Sequence, residues 1–128
     1  MPTNAEWDAA VGTSIYPWGD YFPPKWDDGN YAFLENGKDD PKVVGVDGIL
    51  GTAPVASFKP NALGFYDLGG NVWEWIWDGG DEKTRTRALR GCSWIINGGD
   101  GRSSAHSSSR SDTRVYNSGF RLVRKADR

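Results

Sequence analysis

The alternation of apolar and polar residues predicts three short strands in this chain. Residues 72–77 alternate three tryptophans with valine, glutamate and isoleucine, and residues 87–91 and 119–123 are two further short strand-like stretches. Both faces of the tryptophan strand are apolar enough to be buried. Glu74 then needs a hydrogen-bonded or charged partner, because an unpaired buried carboxylate is strongly unfavourable.

A helix is predicted at the start of the chain. Thr3 and Glu6 have the spacing of a capping box, in which each side chain accepts from the backbone N–H of the other residue. Gly12 ends this helix, which we place at about residues 3–11. Short strands, one or two helices and long structured loops indicate an α+β fold, and we expect a single domain over residues 1–128.

Composition excludes several functional classes. The formal net charge of −2 gives no basic field to support nucleic-acid binding. No apolar run approaches the roughly 20 residues of a membrane-spanning helix, so direct membrane insertion is not expected. Cys92 is the only cysteine and His106 the only histidine. They exclude an intrachain disulfide, a two-cysteine metal site and a multi-histidine site.

The segment from 95 to 118 has an unusual composition. Seven of its 24 residues are serine, yet it lies between two strand-like stretches, so we expect a long structured loop that carries function. It contains no Glu, Lys, Gln, Trp or Met. Randomising the two adenines of an AAC or AAT codon excludes these same five residue types. A polar surface loop without that history is the alternative.

Six blocks of the sequence carry a family resemblance. They are Pro2-Thr3-x-Ala5-Glu6-Trp7, Tyr16-Pro17-Trp18-Gly19-Asp20, Gly51-Thr52-Ala53-Pro54-Val55, a longer block from Pro60-Asn61 through Gly70-Asn71-Val72-Trp73-Glu74-Trp75, Arg90-Gly91-x-Ser93-Trp94 and Gly119-Phe120-Arg121-Leu122. In this order they resemble the formylglycine-generating enzyme (sulfatase-modifying factor) family. The resemblance implies a C-type-lectin-like fold. It starts at the capped helix, so we expect a minimal or excised module, fused to or part of a larger protein or particle.

The residues that such enzymes need are not found here. The resemblance implies that active members bind copper(I) through two cysteines shortly after the Arg-Gly-Gly-Ser-Trp block. Here Ile95, Ile96 and Asn97 stand there instead, and no cysteine follows Cys92. One thiol cannot supply a dithiolate site for Cu(I). A related sulfoxide-forming branch needs three histidines. We therefore expect no enzymatic activity.

A different branch fits the loop composition. In variable proteins of diversity-generating retroelements, an adenine-mutagenised repeat lies between the Arg-Gly-Gly-Ser-Trp and Gly-Phe-Arg-Leu blocks, which here gives a variable region at about 91–121. Arg102, Ser103, Asp112 and Arg114 match fixed positions of such repeats. The positions expected to vary, and to bind ligand, are Ile95, Ile96, Asn97, Gly99, Asp100, His106, Ser108, Thr113, Val115, Tyr116 and Asn117.

This resemblance implies a non-enzymatic domain that displays a solvent-exposed binding surface on a rigid scaffold. Trp73, Trp75, Trp94 and Phe120 are expected to form the core, with Gly91, Gly98 and Gly119 setting the backbone. A protein or cell-surface receptor is the expected partner, with nucleic acid excluded. A phage particle or bacterial cell surface is favoured over the cytoplasm as the location. The alternative is a catalytically inactive structural or protein-interaction module of the same family.

The resemblance also implies two calcium sites, and no catalytic cofactor is expected. One would use Asp67, the carbonyls of Gly70 and Val72, and Glu74. The other would use Asn30, the carbonyl of Tyr31, Asp47 and the carbonyl of Ile49. The alternative for the first set is that backbone amides or an arginine satisfy Asp67 and Glu74.

Overall fold

The computed structural model describes residues 1–34, 43–45, 48–49, 51–96 and 101–125. In this part of the chain the backbone forms one helix and seven short strands. They are α1 (Asn4–Val11), β1 (Ala32–Leu34), β2 (Val43–Gly45), β3 (Trp73–Asp81), β4 (Thr86–Arg90), β5 (Ile95–Ile96), β6 (His106–Arg110) and β7 (Ser118–Gly119). The predicted α+β class with short strands and long loops is confirmed.

The strands form two sheets. The first has the order β2-β1-β5, with β1 antiparallel to β2 and parallel to β5. The second has the order β6-β4-β3-β7, in which β4 is antiparallel to both β3 and β6, and β7 runs parallel to β3. Three strands include residues of the Ser-rich region, 95–118: β5 lies at an edge of the first sheet, and β6 and β7 lie at opposite edges of the second.

Helix α1 forms as its caps predict. The Thr3 side chain accepts from the Glu6 backbone N–H, Glu6 accepts from the Thr3 backbone N–H, and Gly12 ends the helix at a φ of 79°. Its buried residues, Trp7 and Val11, pack with Leu68 and Ile76 in the main apolar cluster. The helix thereby covers the face of β3 that carries Ile76. None of the described helices is long and apolar enough to cross a membrane.

Two expectations about the core are wrong: Phe120 is not a core residue, and the tryptophan face of β3 is not fully buried. Phe120 is 64% exposed and Trp77 is 69% exposed, while Trp73, Trp75 and Trp94 are only half-buried. The reason is that the main cluster lies on the Ile76 face of β3, so the tryptophan face is not the buried one. A second small cluster joins Tyr31 and Cys92, with Trp18 and Trp73 packed against it.

The strand ends also differ from the sequence prediction. β3 extends to Asp81, and β4 occupies Thr86–Arg90, close to the predicted 87–91. The predicted strand at 119–123 is limited to Ser118–Gly119, because Arg121 turns to the Glu74 carboxylate and leaves the ladder. The polar strand β6 was not predicted at all, since its residues do not alternate in polarity.

Candidate functional site

The Ser-rich region is held in a defined backbone conformation. β6 pairs with β4 over five residues, from Thr86↔Arg110 to Arg90↔His106. A turn follows, in which the Thr113 N–H donates to the Arg110 carbonyl at 3.0 Å. The described part of this segment is therefore an ordered strand and turn, as the prediction of a structured loop requires.

The other end of the region is anchored beside β3 and β5. The Trp73 N–H donates to the Asn117 carbonyl at 2.8 Å, and the Asn117 amide lies 3.5 Å from the Ser93 hydroxyl. The ring centroids of Trp94 and Tyr116 lie 6.4 Å apart, with the ring planes tilted by 47° to each other. Five residues from two chain segments thus come together here. We call them the Tyr116 patch: Trp94, Ile95, Val115, Tyr116 and Asn117.

The predicted variable positions that the structure describes differ in side-chain exposure. Four predicted variable residues are exposed, namely His106, Ser108, Val115 and Tyr116, and three are half-buried, namely Ile95, Thr113 and Asn117. Asn97, Gly99 and Asp100, and the side chain of Ile96, lie outside the described residues. Among the described positions, backbones are fixed by strand pairing or turns while many side chains face solvent.

The strand order separates these residues into two groups. His106 and Ser108 lie on β6, whereas Val115, Tyr116 and Asn117 lead into β7. Two strands, β4 and β3, lie between them, which corresponds to about 14 Å at the usual spacing of neighbouring strands. The Tyr116 patch and the β6 edge are therefore distinct surfaces within the sheet.

The expected fixed positions bind the scaffold. The Ser103 N–H donates to the Ile15 carbonyl at 2.8 Å, and the Arg102 guanidinium lies 5.8 Å from the Tyr16 ring centroid. Asp112 accepts two hydrogen bonds from Arg110, at 3.0 and 2.8 Å. The contacts of Ser103 and Arg102 fix the start of β6 relative to the rest of the domain, whereas the Arg110–Asp112 pair is local to the end of β6 and the turn that follows it.

One scaffold residue of this region was missed. Arg90 is buried and donates to Asn4 and Asp8 of α1, at 2.9 and 2.7 Å, and to the Ser103 carbonyl at 3.0 Å. It connects the helix with the segment before β6. Its position in the Arg-Gly-x-Ser-Trp block was the only signal in the sequence, and a motif alone does not show contacts between distant segments.

The backbone beside the Tyr116 patch explains the glycines of this block. Gly91 has a φ of +88°, and a Cβ there would lie 2.9 Å from the Leu68 carbonyl oxygen. Cys92 follows with a φ of +56°, in the left-handed region that favours glycine. The Cys92 side chain is buried, so the chain's only thiol is part of the interior.

Glu74 has the partner that its burial requires. Arg121 donates from Nε and Nη2 to its two carboxylate oxygens, at 2.5 and 2.6 Å, and also to the carbonyls of Tyr66 and Asp67. Burial raises the pKa of Glu74, although the Arg121 guanidinium acts in the opposite direction. The Asp67 carboxylate accepts from the Ala56 N–H at 2.7 Å.

The first expected calcium set does not fit the ion in this arrangement. Arg121 already occupies both oxygens of Glu74 and the carbonyl of Asp67, and its positive charge stands where a cation would be needed. Within the described ranges, no group of three or more His, Cys, Asp or Glu side chains is placed to hold a metal ion. The other two expected ligands are the carbonyls of Gly70 and Val72, which carry no charge. The negative charge of Glu74 is already neutralised by Arg121.

The second expected set offers one suitable ligand. Asn30 is fully buried, and its amide nitrogen donates to the Gly51 carbonyl at 2.8 Å, which leaves Oδ1 without a partner among the described residues. A buried acceptor without a donor is unfavourable, and a carbonyl oxygen is a ligand that calcium accepts. Asp47 lies outside the described residues, so calcium at Asn30, Tyr31, Asp47 and Ile49 stays a prediction.

A cleft that the sequence did not indicate lies beside the aromatic loops. It has a volume of about 230 Å³ and is lined by Trp18, Tyr21, Lys25, Asp28 and Tyr31, among others. The Tyr21 hydroxyl donates to Asp28 at 2.6 Å. Burial and this hydrogen bond raise the pKa of Tyr21 to about 12. Density of aromatic residues predicted packed loops here but gave no sign of a charged cleft.

Comparison with known protein families shows which family the chain belongs to. The model of the sulfatase-modifying factor enzyme 1-like domain, FGE-sulfatase, matches residues 1–126. The chain belongs to this family. The expected resemblance is therefore confirmed across nearly the whole sequence.

Relatives within the FGE-sulfatase family include both active and inactive proteins by name. The formylglycine-generating enzyme of Mus musculus is 42% identical over 82 residues, covering 61% of this chain and 22% of that enzyme. The inactive C-alpha-formylglycine-generating enzyme 2 of Bos taurus is 38% identical over 144 residues, covering 100% of this chain and 44% of that protein. The chain thus spans less than half the length of these relatives.

Solved structures confirm the fold and the likeness to variable proteins. The Treponema denticola variable protein 1 superposes with a TM-score of 0.70 at 25% identity, covering 94% of this chain and 45% of that one. The structure of CarF also gives a TM-score of 0.70, at 28% identity, covering 99% of this chain and 47% of that one. The C-type-lectin-like fold of the formylglycine-generating type is shared.

Proposed function

We propose that this chain is a non-enzymatic ligand-binding display domain, a variable protein of a diversity-generating retroelement. The observation that carries the proposal is the separation of backbone from side chains in residues 101–119. β6 is fixed on β4, and Asn117 is fixed on Trp73, while His106, Ser108, Val115 and Tyr116 remain exposed. Substitution at such surface positions changes stability little, so many variants would keep one fold.

The chemistry of the Tyr116 patch supports a protein ligand. Tyr116 is 74% exposed, its ring centroid lies 6.4 Å from that of Trp94, and Ile95, Val115 and Asn117 complete the patch. An exposed tyrosine beside a tryptophan and an asparagine resembles the chemistry of antibody paratopes, in which tyrosine and tryptophan supply the main contacts. The net charge of −2 gives no support for nucleic acid. We therefore propose a protein or cell-surface receptor as ligand, bound by a domain carried on a phage particle or bacterial cell surface.

The absence of catalysis is supported by the thiol count. Copper(I) bound by two thiolates needs two cysteines, and Cys92 is the only one in the chain and is buried. The test is oxygen consumption with copper and a cysteine-containing peptide. Activity above that of a Cys92→Gly variant would contradict the proposal, because it would place oxidase chemistry on this thiol.

The direct genetic test is a search for a template repeat next to the gene. We expect a copy of the DNA encoding about residues 91–121 that differs from the gene only at adenines of the template. The mismatches are expected at codons such as those of His106, Val115, Tyr116 and Asn117. Mismatches spread over all four bases, or no repeat in the complete locus, would reject the retroelement assignment.

A display experiment tests the binding surface itself. One library randomises Val115, Tyr116 and Asn117, and a matched library randomises three exposed scaffold positions, Lys83, Thr84 and Arg85. Both are displayed on phage, and selection uses a panel of purified proteins. We expect similar folded fractions in both libraries but binders mainly from the first. Equal yields of binders would show that the Tyr116 patch has no special role.

The second candidate is a catalytically inactive structural or interaction module. It is favoured by the match over 100% of this chain to the inactive C-alpha-formylglycine-generating enzyme 2 of Bos taurus. The two candidates differ in where sibling sequences vary. Changes concentrated at the predicted variable positions support display, whereas changes scattered over the scaffold support the inactive module.

A further inference from the structure

The cleft beside the aromatic loops is the strongest unexplained feature of the molecule. Its walls come from three segments of this chain, within residues 17–31, 59–61 and 65–69, and its volume is about 230 Å³. None of the lining residues is a predicted variable position. The cleft is therefore separate from the Tyr116 patch and from the proposed display surface.

A buried tyrosine hydroxyl belongs to this cleft. Tyr31 lines the cleft and is only 1% exposed. Its hydroxyl lies beside Gly69, another lining residue, where a Cβ would be 2.6 Å from the hydroxyl oxygen. Among the described residues this hydroxyl has no hydrogen-bond partner. Burial raises the pKa of Tyr31 well above its ordinary value, and the nearby Cys92, Asp28 and Asp67 act in the same direction. A buried hydroxyl without a partner is unfavourable, so an occupant that bonds to it gains stability.

Two carboxylates line the same cleft, and each keeps one oxygen free. Asp28 accepts through Oδ2 alone, from the Tyr21 hydroxyl and the Lys25 N–H. Asp67 also accepts through Oδ2 alone, from the Ala56 N–H. In both side chains Oδ1 bonds to no described residue. The cleft therefore offers two unused carboxylate oxygens near the Tyr31 hydroxyl.

The lysines of the cleft do not neutralise these carboxylates. Lys59 is paired with Asp27, which does not line the cleft. Lys25 forms no ion pair with a described residue, and its ammonium lies 5.0 Å from the centroid of the Tyr21 ring. Two carboxylates against the one lysine that remains unpaired leave an excess of negative charge. An occupant with one positive charge would balance it.

We propose that this cleft binds a small molecule that carries a primary ammonium group. An alkylammonium has three N–H donors, and the cleft offers three unused acceptors, namely the Tyr31 hydroxyl oxygen and Oδ1 of Asp28 and of Asp67. The rings of Trp18 and Phe65 also line the cleft and provide apolar walls for the rest of the molecule.

The charge of the cleft favours a small cation over a further segment of the same protein. Permanent contacts between parts of a protein are mainly apolar. Packing an apolar segment here would bury Asp28 and Asp67, and a buried carboxylate without a partner is strongly unfavourable. A bound ammonium supplies that partner.

Isothermal titration calorimetry with benzylammonium tests the proposal, with benzyl alcohol as the matched neutral probe. At neutral pH we expect benzylammonium to bind at least about tenfold more tightly than benzyl alcohol. Asp28→Asn is expected to weaken this binding by at least about tenfold. Glu82→Gln removes an exposed carboxylate outside the cleft and is expected to leave it unchanged. No binding of benzylammonium, equal affinities for the two probes, or equal effects of the two variants would overturn the proposal.

Tyr31→Phe separates a role in binding from a role in folding, because it removes only the hydroxyl. Since this hydroxyl has no partner among the described residues, the variant is expected to be at least as stable as the wild type in urea unfolding. Its affinity for benzylammonium is expected to fall several-fold. A clear loss of stability would mean that the fold already satisfies the hydroxyl, and an unchanged affinity would mean that the hydroxyl does not contact the ligand. Either result contradicts the proposal.

The complete product of the gene shows whether the cleft stays accessible. The chain spans less than half the length of its relatives, so the same titration is repeated with that product. We expect the same affinity for benzylammonium and the same loss in Asp28→Asn. Binding by this chain but not by the complete product would mean that another part of the same protein fills the cleft, and would reject the proposed site.

Discussion

Arg121 covers the Glu74 carboxylate, donating to its two oxygens at 2.5 and 2.6 Å. The same guanidinium lies 5.5 Å from the Trp7 ring centroid and bonds the carbonyls of Tyr66 and Asp67. One arginine thus joins the C-terminal segment to α1, β3 and the loop before β3. It satisfies the buried carboxylate that the alternating strand pattern had left without a partner.

Removing this arginine is expected to destabilise the fold strongly. Arg121→Met leaves Glu74 buried without its counter-charge, and breaking one side of a buried ion pair costs about 3–5 kcal/mol. Urea unfolding at neutral pH measures the loss. Because the pKa of Glu74 is already raised by burial, its protonation as the pH falls removes the unpaired charge. The difference between wild type and variant is therefore expected to shrink in mildly acidic solution.

Two further variants test whether the loss of stability in Arg121→Met comes from the unpaired Glu74 charge. Glu74→Gln combined with Arg121→Met removes both charges and is expected to be more stable than Arg121→Met alone. Arg110→Met removes the exposed partner of Asp112 and is expected to change stability little, since exposed ion pairs contribute little. Equal effects of Arg121→Met and Arg110→Met would show that the Glu74 pair is not important for folding.

The Tyr116 patch is expected to tolerate substitution. Tyr116→Ser changes a side chain that is 74% exposed, so the free energy of unfolding is expected to change by less than about 0.5 kcal/mol. Ile76→Ala is the contrast, because Ile76 is fully buried in the main cluster and such truncations cost about 2–5 kcal/mol. Urea unfolding compares the two. A large loss with Tyr116→Ser would mean that this residue belongs to the scaffold.

Local signals and recognisable blocks accounted for much of this fold. The capping box of Thr3 and Glu6 predicted α1, and the period of two predicted β3. β6 could not be predicted in this way, because His106–Arg110 has no apolar face and becomes a strand only through its pairing with β4. Strand pairing between distant segments depends on tertiary contacts that a local pattern does not contain.

For the candidate site, too, the residues could be predicted from the sequence but their arrangement in space could not. The family blocks located the region that we propose to be variable, and exposure of His106, Val115 and Tyr116 agrees with a surface role. The separation of His106 from Tyr116 by two strands follows only from the sheet order. The exposure of Phe120 was also not foreseeable from its apolar character, since the turn of Arg121 towards Glu74 decides which neighbours face solvent.

Calcium is expected to bind the second predicted set and not the first. Its ligands include the unpartnered Asn30 oxygen, whereas Arg121 already neutralises Glu74. Calcium is therefore expected to raise the melting temperature of wild type and Asp67→Asn, but not of Asp47→Asn, since a ligand that binds only the folded state stabilises it. Scanning calorimetry with calcium and with a chelator measures this. No effect of calcium on the wild type would exclude both sites.

The Tyr21 hydroxyl is expected to titrate well above the usual range for tyrosine. Burial and the hydrogen bond to Asp28 raise its pKa to about 12, against an ordinary value near 10. Between these two pH values the unfolded chain loses the phenolic proton before the folded chain does. The Tyr21 contribution to stability is therefore complete below about pH 10 and is lost as the pH rises towards 12.

NMR titration of tyrosines labelled at the ring carbon that bears the hydroxyl measures this pKa, with Tyr21→Phe assigning the signal. Asp28→Asn removes the negative charge but leaves the burial unchanged, so the Tyr21 pKa is expected to fall yet remain above its ordinary value. The same chain unfolded in urea is the reference, because its tyrosines have lost both the burial and the hydrogen bond. A Tyr21 signal that titrates at the same pH in the folded and the unfolded chain would show that the hydrogen bond to Asp28 does not persist in solution.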